Sequence, residues 1–294
     1  MWFNVLRGLL NEIYSSTMRL VQRDLTLEVL LTEFLLRYKL LKIIGITNLF
    51  IGKSVVRLSD NMKVYVNDEA TITINIPDQY IRKEYSRHPD YIPRETWVVF
   101  DIGAYVGIYT LWAAKRVGLD GFVVAFEPNP LVFRWLVSNI ALNNVRNVKT
   151  LPFALGDRAG KMLLYVAGEN IGASSLIANH LTHNPSGRYT IARTFIVPMT
   201  TLDYVIERSN RIIGKAISHI DLVKIDVEGY EMHVLKGGEK ALSKGLTERF
   251  VLEVHKDQVS TKNLVEYLKD FGYSIDRVIG FNHVKDIVYL KLTH

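Results

Sequence analysis

The 294-residue chain contains no cysteine. Disulfides, thiolate-bound metals and a cysteine nucleophile are thereby excluded, and a reducing compartment is compatible with the chain. Long uncharged apolar runs are missing too. Arg37, Lys39 and Lys42 interrupt the leucine-rich start before any stretch reaches the roughly 18 residues that a membrane-spanning helix needs. Nor does the start carry a basic region followed by a short apolar core and cleavage site, so a secretory leader is not expected. Internal repeats, low-complexity linkers and runs of six basic residues are absent. The net charge of +6, with a pI near 9.2, therefore reads as a solvated basic surface, and nucleic acid is only a weakly favoured partner. The expected location is cytoplasmic, with peripheral contact at a membrane as the variant.

What is present is ample apolar content, 48%, enough for one large domain with a small appendage. Residues 1–52 form the appendage: Leu27, Leu30, Leu31, Phe34, Leu35 and Tyr38 fall near helical spacing. This helical segment packs on the main domain, pairs with a second copy as a homodimer, or lies on a membrane surface; packing or dimer contact is favoured. From 53 to 94, Val64–Val66 and Thr71–Ile76 alternate apolar with polar residues, which predicts a small antiparallel β unit.

The main domain, 53–294 with that unit included, is organised around Val98 to Thr110. An apolar run reaches Asp101, passes Gly103, Ala104, Tyr105 and Gly107, and continues into a helix over Ile108–Val117 closed by Gly118. Glycines at such a strand-to-helix turn allow close ligand approach. The pattern is Asp-x-Gly-x-x-x-Gly, not the Gly-x-Gly-x-x-Gly that seats a pyrophosphate. A carboxylate at this point repels phosphate and suits a ligand with a cationic end, such as S-adenosylmethionine. A second strand, Phe122–Phe126, ends on Glu127 and Pro128, an acid about 20 residues on, placed to accept from both ribose hydroxyls. Asn129 and Pro130 then cap and open the next helix.

Further strands are expected at Asn147–Phe153, within Ile220–Ile225 and at Phe250–His255, and an antiparallel pair closes the chain over Tyr273–Val278 and Asp286–Leu292. Residues 158–198 break the strand–helix rhythm and read as a lid-like insertion. His180 and His183 within it have no carboxylate partner nearby in sequence, so they are assigned to a surface loop. Asp226, Glu228 and His255 stand at the carboxyl ends of two strands, where open α/β sheets collect ligands, and are the candidate catalytic residues. No third metal ligand accompanies Asp226 and Glu228, so no metal is assigned. Lys224 points either into the core wall or toward the carboxylates.

Four pieces in this order, Asp101–Gly107, Phe126–Pro130, Ala154–Asp157 and Lys224–Glu231, resemble the FkbM-type family of class I S-adenosylmethionine-dependent methyltransferases over roughly residues 80 to 280. The resemblance implies a doubly wound, Rossmann-like α/β sheet with an antiparallel last strand. It also implies S-adenosylmethionine as cofactor: Asp101, Gly103 and Gly107, with Ala104 and Tyr105 between them, along the methionine part; Glu127 and Pro128 at the ribose; Ala154, Leu155 and Asp157 bordering the adenine. Ala154 and Leu155 read equally well as ordinary core. The implied reaction is O-methylation of a hydroxyl on a sugar, glycolipid or related small molecule, with Asp226, Glu228 or His255 as base. An RNA or protein acceptor, and a non-catalytic membrane-surface scaffold that retains the fold, are the alternatives.

Overall fold

The computed structural model describes residues 55–293, apart from 66–67, 69, 169, 184–188 and 282–283. The expected helical segment at 1–52, with its packing, dimer and membrane-surface readings, lies outside the described residues. Contacts divide the chain between Lys83 and Glu84, and the two parts are described in turn.

Before Lys83, β1 (Val55–Arg57) and β2 (Lys63–Tyr65) pair antiparallel, and Asn61 takes the left-handed conformation in their turn. The second predicted strand of this unit is not one. Thr71–Asn75 is a wide helical turn, continued by α1 (Ile76–Tyr80). Asp68 accepts from both the backbone N–H and the hydroxyl of Thr71 at its head, and Pro77 suits the first turn of a helix. Ala70, Thr71 and Ile72 are buried in succession, as are Ile76 to Gln79. Burial in runs satisfies a helix, whereas a half-exposed strand would bury every second residue.

From Glu84 onward the chain forms a seven-stranded sheet of order β11-β12-β10-β9-β3-β4-β5. Its members are β3 (Val98–Ile102), β4 (Phe122–Phe126), β5 (Val148–Leu151), β9 (Leu222–Ile225), β10 (Arg249–His255), β11 (Tyr273–Phe281) and β12 (Lys285–Leu292). The five strands from β5 to β10 run parallel, and β12 runs antiparallel between β10 and β11. Parallel strands covered on both faces need apolar side chains throughout, and β9 is buried at all four positions, Lys224 included. Phe100, Ile102, Val124, Phe126, Val223, Ile225, Phe250 and Leu252 belong to the main core.

α2 (Ile108–Val117) follows β3, and α3 (Pro130–Leu142) follows β4 with Asn129 as its cap, its side chain accepting from the Leu131 N–H. Sequence order reverses between β3 and β9, so the crevice outside their carboxyl ends is the sheet's natural ligand site. The insertion is a three-stranded sheet of β6 (Ala154–Leu155), β7 (Gly160–Ala167) and β8 (Ile191–Thr200), with α4 (Ala178–His183) between β7 and β8. After β9 comes α5 (Glu231–Lys236). No helix among the described residues is long and apolar enough to cross a membrane.

Candidate active site

The turn after β3 is locked onto β4: the Phe126 carbonyl accepts from the N–H groups of Gly103 (3.0 Å) and Ala104 (2.9 Å). Gly103 and Gly107 have φ of +80° and +89°. A side chain at Gly103 would begin 1.7 Å from the Asp226 carbonyl oxygen, and one at Gly107 would meet Leu136 Cδ1 at 2.6 Å. Both glycines therefore permit close packing within the protein, a role distinct from the ligand approach expected of them. Tyr105, between them, is left-handed as well, and Gly172 of the insertion lies against its ring.

Glu127 is adjacent to this turn. Its Oε2 accepts from the Tyr105 N–H at 2.9 Å and its Oε1 from the Asn129 N–H at 2.8 Å. Each oxygen keeps a lone pair, so the carboxylate retains the capacity to take two hydroxyl donors. Burial raises its pKa to about 7 against the opposing pull of those two N–H groups. Pro128 is half-buried beside it. The Asn129 side chain donates 2.9 Å to Ser174 Oγ, which ties the insertion to the same edge.

Asp101 faces inward. It is fully buried, takes the Thr110 hydroxyl at 2.5 Å and lies 3.2 Å from Lys224 Nζ, so its contacts are to protein groups. Register explains this: β3 and β9 place Asp101 directly opposite Lys224. The Lys224 ammonium also donates to the Gly103 carbonyl (2.7 Å) and sits 3.6 Å from Asp226. Of the two orientations open to Lys224, the one toward the carboxylates is found. Burial alone would lower its pKa, but Asp101 and Asp226 raise it. Tyr85 donates one hydroxyl to both Glu253 (2.7 Å) and Asp226 (2.9 Å). Burial, and then the neighbouring charge of Glu253, holds the Asp226 carboxyl above its usual range.

The segment after β9 builds the rest. Glu228 and Gly229 are both left-handed, at φ +51° and +96°, which bends the chain so that Glu231 Oε1 accepts from the Gly229 N–H (2.9 Å) and from His255 Nδ1 (2.8 Å). His255 Nε2 lies 3.4 Å from Glu228. His180 completes the group and corrects the surface-loop assignment: it is fully buried, with Nε2 2.8 Å from Glu228 and Nδ1 2.8 Å from Asp257. The two imidazoles meet edge to face, 4.9 Å apart. Ser175 anchors α4 here by donating 2.6 Å to the Glu228 carbonyl, and Gly229 leaves room for the Gln258 side chain. The side chain of His183 lies outside the described residues. His180, Glu228 and His255 offer one possible ligand atom each, all within 4.8 Å of one another; Asp226 does not belong to that group.

Asp101, Gly103, Tyr105, Glu127, Asp226, Glu228 and His255 thus share one edge of the sheet. Ala154 and Leu155 are core residues: Leu155 joins the main core and Ala154 packs with Met199 and Tyr230. Asp157 pairs with Arg158 at 3.5 Å. Sequence reading passed over Tyr85, Glu253 and Asp257 and placed His180 in a surface loop. Glu253 had a signal: two residues before His255 on a strand, it must face the same way.

Residues 101–275 match the family profile described as the methyltransferase FkbM domain. Methyltransferase 1 of Beauveria bassiana is 27% identical over 232 residues, covering 76% of this chain and 90% of that protein. The 31-O-demethyl-FK506 methyltransferase FkbM of Streptomyces tacrolimicus is 30% identical over 193 residues, covering 60% and 73%. The hexuronic acid methyltransferase AglP of Haloferax volcanii is 23% identical over 194 residues, covering 65% and 69%. A profile match across more than half of the chain agrees with the doubly wound sheet and its acidic edge, and the chain belongs to the FkbM family of S-adenosylmethionine-dependent methyltransferases.

Proposed function

We propose that the chain methylates a hydroxyl oxygen of a sugar, a glycolipid or a related small molecule. One observation carries this reading. Asp226 and Glu228 are the partly open groups of the cluster, with side chains 24% and 25% exposed, whereas Asp101, Lys224, Glu253, His180 and His255 around them are buried. Two carboxylates at an opening recognise hydroxyl donors and repel a phosphate backbone, which disfavours RNA despite the basic pI. Two relatives support the class by their names: one acts on a demethylated hydroxyl of FK506 and the other on a hexuronic acid.

When bound, S-adenosylmethionine supplies an electrophilic methyl group on sulfur. Glu127 would hold the ribose hydroxyls with its remaining lone pairs, and the Tyr105 turn would border the methionine part. An alcohol is a weak nucleophile at neutral pH, so alignment and removal of its proton are the enzyme's tasks. Tyr85 and Lys224 hold Asp226 by Oδ2, and Oδ1 is the atom we assign to take the acceptor proton as the oxygen–carbon bond forms and the sulfur–carbon bond breaks.

The test is transfer of labelled methyl from S-adenosylmethionine to fractionated glycans, lipids, small hydroxylated metabolites, RNA and protein. Label in a glycan, lipid or small-molecule fraction is the expected result. Label confined to RNA or protein would overturn the acceptor class, and absence of calorimetric heat with S-adenosylmethionine would favour the scaffold reading.

A further inference from the structure

Both histidines of the site are oriented in the same manner. Asp257 takes Nδ1 of His180 and Glu231 takes Nδ1 of His255, each at 2.8 Å. A neutral imidazole so held carries its proton on Nδ1 and presents the Nε2 lone pair. Both Nε2 atoms converge on one oxygen, Oε2 of Glu228, at 2.8 and 3.4 Å. Three acceptors then face one another with no donor between them. Either a cation at the centre or a second proton on each ring, donated to Glu228, satisfies such an arrangement. The carboxylates of Asp226, Glu228, Glu231, Glu253 and Asp257 surround the two rings; Lys224 lies against Asp226 and Lys285 against Glu253, which leaves Glu228, Glu231 and Asp257 to the rings. The local charge therefore calls for positive charge at that point.

We propose that His180, Glu228 and His255 form a binding site for one first-row divalent cation of the zinc type, with its remaining coordination positions open toward the acceptor beside Asp226. Ligand atoms about 2.0 to 2.2 Å from a zinc ion, at angles between square and tetrahedral, are about 2.8 to 3.5 Å apart, the range found here from Glu228 to each ring. Two imidazoles and one carboxylate select such an ion over magnesium or calcium, which favour all-oxygen sites. Carboxylates on the far nitrogen of each ring are the usual outer support of histidine ligands. The ring from α4 brings the insertion into the site, so the ion would also tie that segment to the sheet. Coordination of an acceptor hydroxyl rests on the proposed O-methyl transfer; binding of the ion does not.

The test uses the full chain after treatment with a chelator, titrated calorimetrically with Zn²⁺ and separately with Mg²⁺. One Zn²⁺ per chain is expected, with Mg²⁺ bound far more weakly. Co²⁺ in its place should develop visible ligand-field absorption. His180→Gln and His255→Gln should each weaken Zn²⁺ binding by about 100-fold or more, and Asp257→Asn by about 10- to 100-fold. Heat on addition of S-adenosylmethionine reports whether each variant remains folded. Failure of the stripped chain to take up Zn²⁺ while it still binds S-adenosylmethionine would overturn the proposal. So would uptake unchanged in a variant lacking both histidines, or an NMR titration finding both rings doubly protonated at neutral pH with Zn²⁺ present. Loss of methyl transfer to every hydroxylated acceptor, with Zn²⁺ uptake intact, would sink the acceptor reading alone.

Discussion

The carbonyl oxygen of Asp226 stands 1.7 Å from the point where a side chain on Gly103 would begin. The turns leaving β3 and β9 are thus in direct contact, and that contact sets the spacing between the glycine turn and the carboxylates that follow β9. Gly103→Ala should cost more than about 3 kcal/mol, from left-handed strain plus the clash with backbone. Gly214→Ala, left-handed but in open space, should cost about 1 kcal/mol. Urea denaturation of the two variants checks the difference.

Removing the Lys224 charge, as in Lys224→Met, leaves Asp101 buried without its ion-pair partner and withdraws the cation beside Asp226. The expected loss is about 3 to 5 kcal/mol, the range for breaking one side of a buried pair. A compensating Asp101→Asn in the same chain should recover part of it, which a double-mutant cycle by chemical denaturation measures.

Glu127→Ala should weaken S-adenosylmethionine binding by about 1 to 3 kcal/mol, the scale of charge-assisted hydrogen bonds, as read by calorimetry. The wild-type affinity should also depend on pH. Burial holds Glu127 at about 7 in the free protein, and in the proposed role ribose hydroxyls would donate to its ionised form, so binding would expel a proton below that value. Affinity should be flat above pH 7 and fall by up to about tenfold for each pH unit below it, a slope that vanishes in Glu127→Ala.

Asp226→Asn retains the shape of the site and removes the proposed proton acceptor. Turnover should drop by about 10² to 10⁴-fold, the usual contribution of a positioned base, with cofactor affinity nearly unchanged. Steady-state kinetics paired with calorimetry separates the two quantities. Equal loss in both would assign Asp226 to cofactor binding instead.

Much of the fold was legible because strands of a parallel sheet announce themselves locally. Phe122–Phe126 is apolar throughout and ends on an acid and a proline, and the observed strand has those bounds. Asn129 and Pro130 mark the next helix start for equally local reasons. Thr71–Ile76 misled because β-branched residues in alternation mimic a strand, while the Asp68 contact and burial in consecutive runs favour a helix. His180 misled for the opposite reason. Its neighbours have the composition of a surface loop, and the partners that bury it, Glu228 and Asp257, lie 48 and 77 residues away in sequence.

Residue pattern and backbone chemistry were enough to establish the sheet, the glycine turn after its first central strand, and the acids at the strand exits, because each depends on neighbours a few positions away. Folding in three dimensions was needed to seat Lys224 between Asp101 and Asp226 and to carry His180 onto Glu228 beside His255. Those pairings arise from strand register and from the return of an insertion over the sheet edge. Neither leaves a local signature, since the energy that selects them lies in contacts between distant parts of the chain.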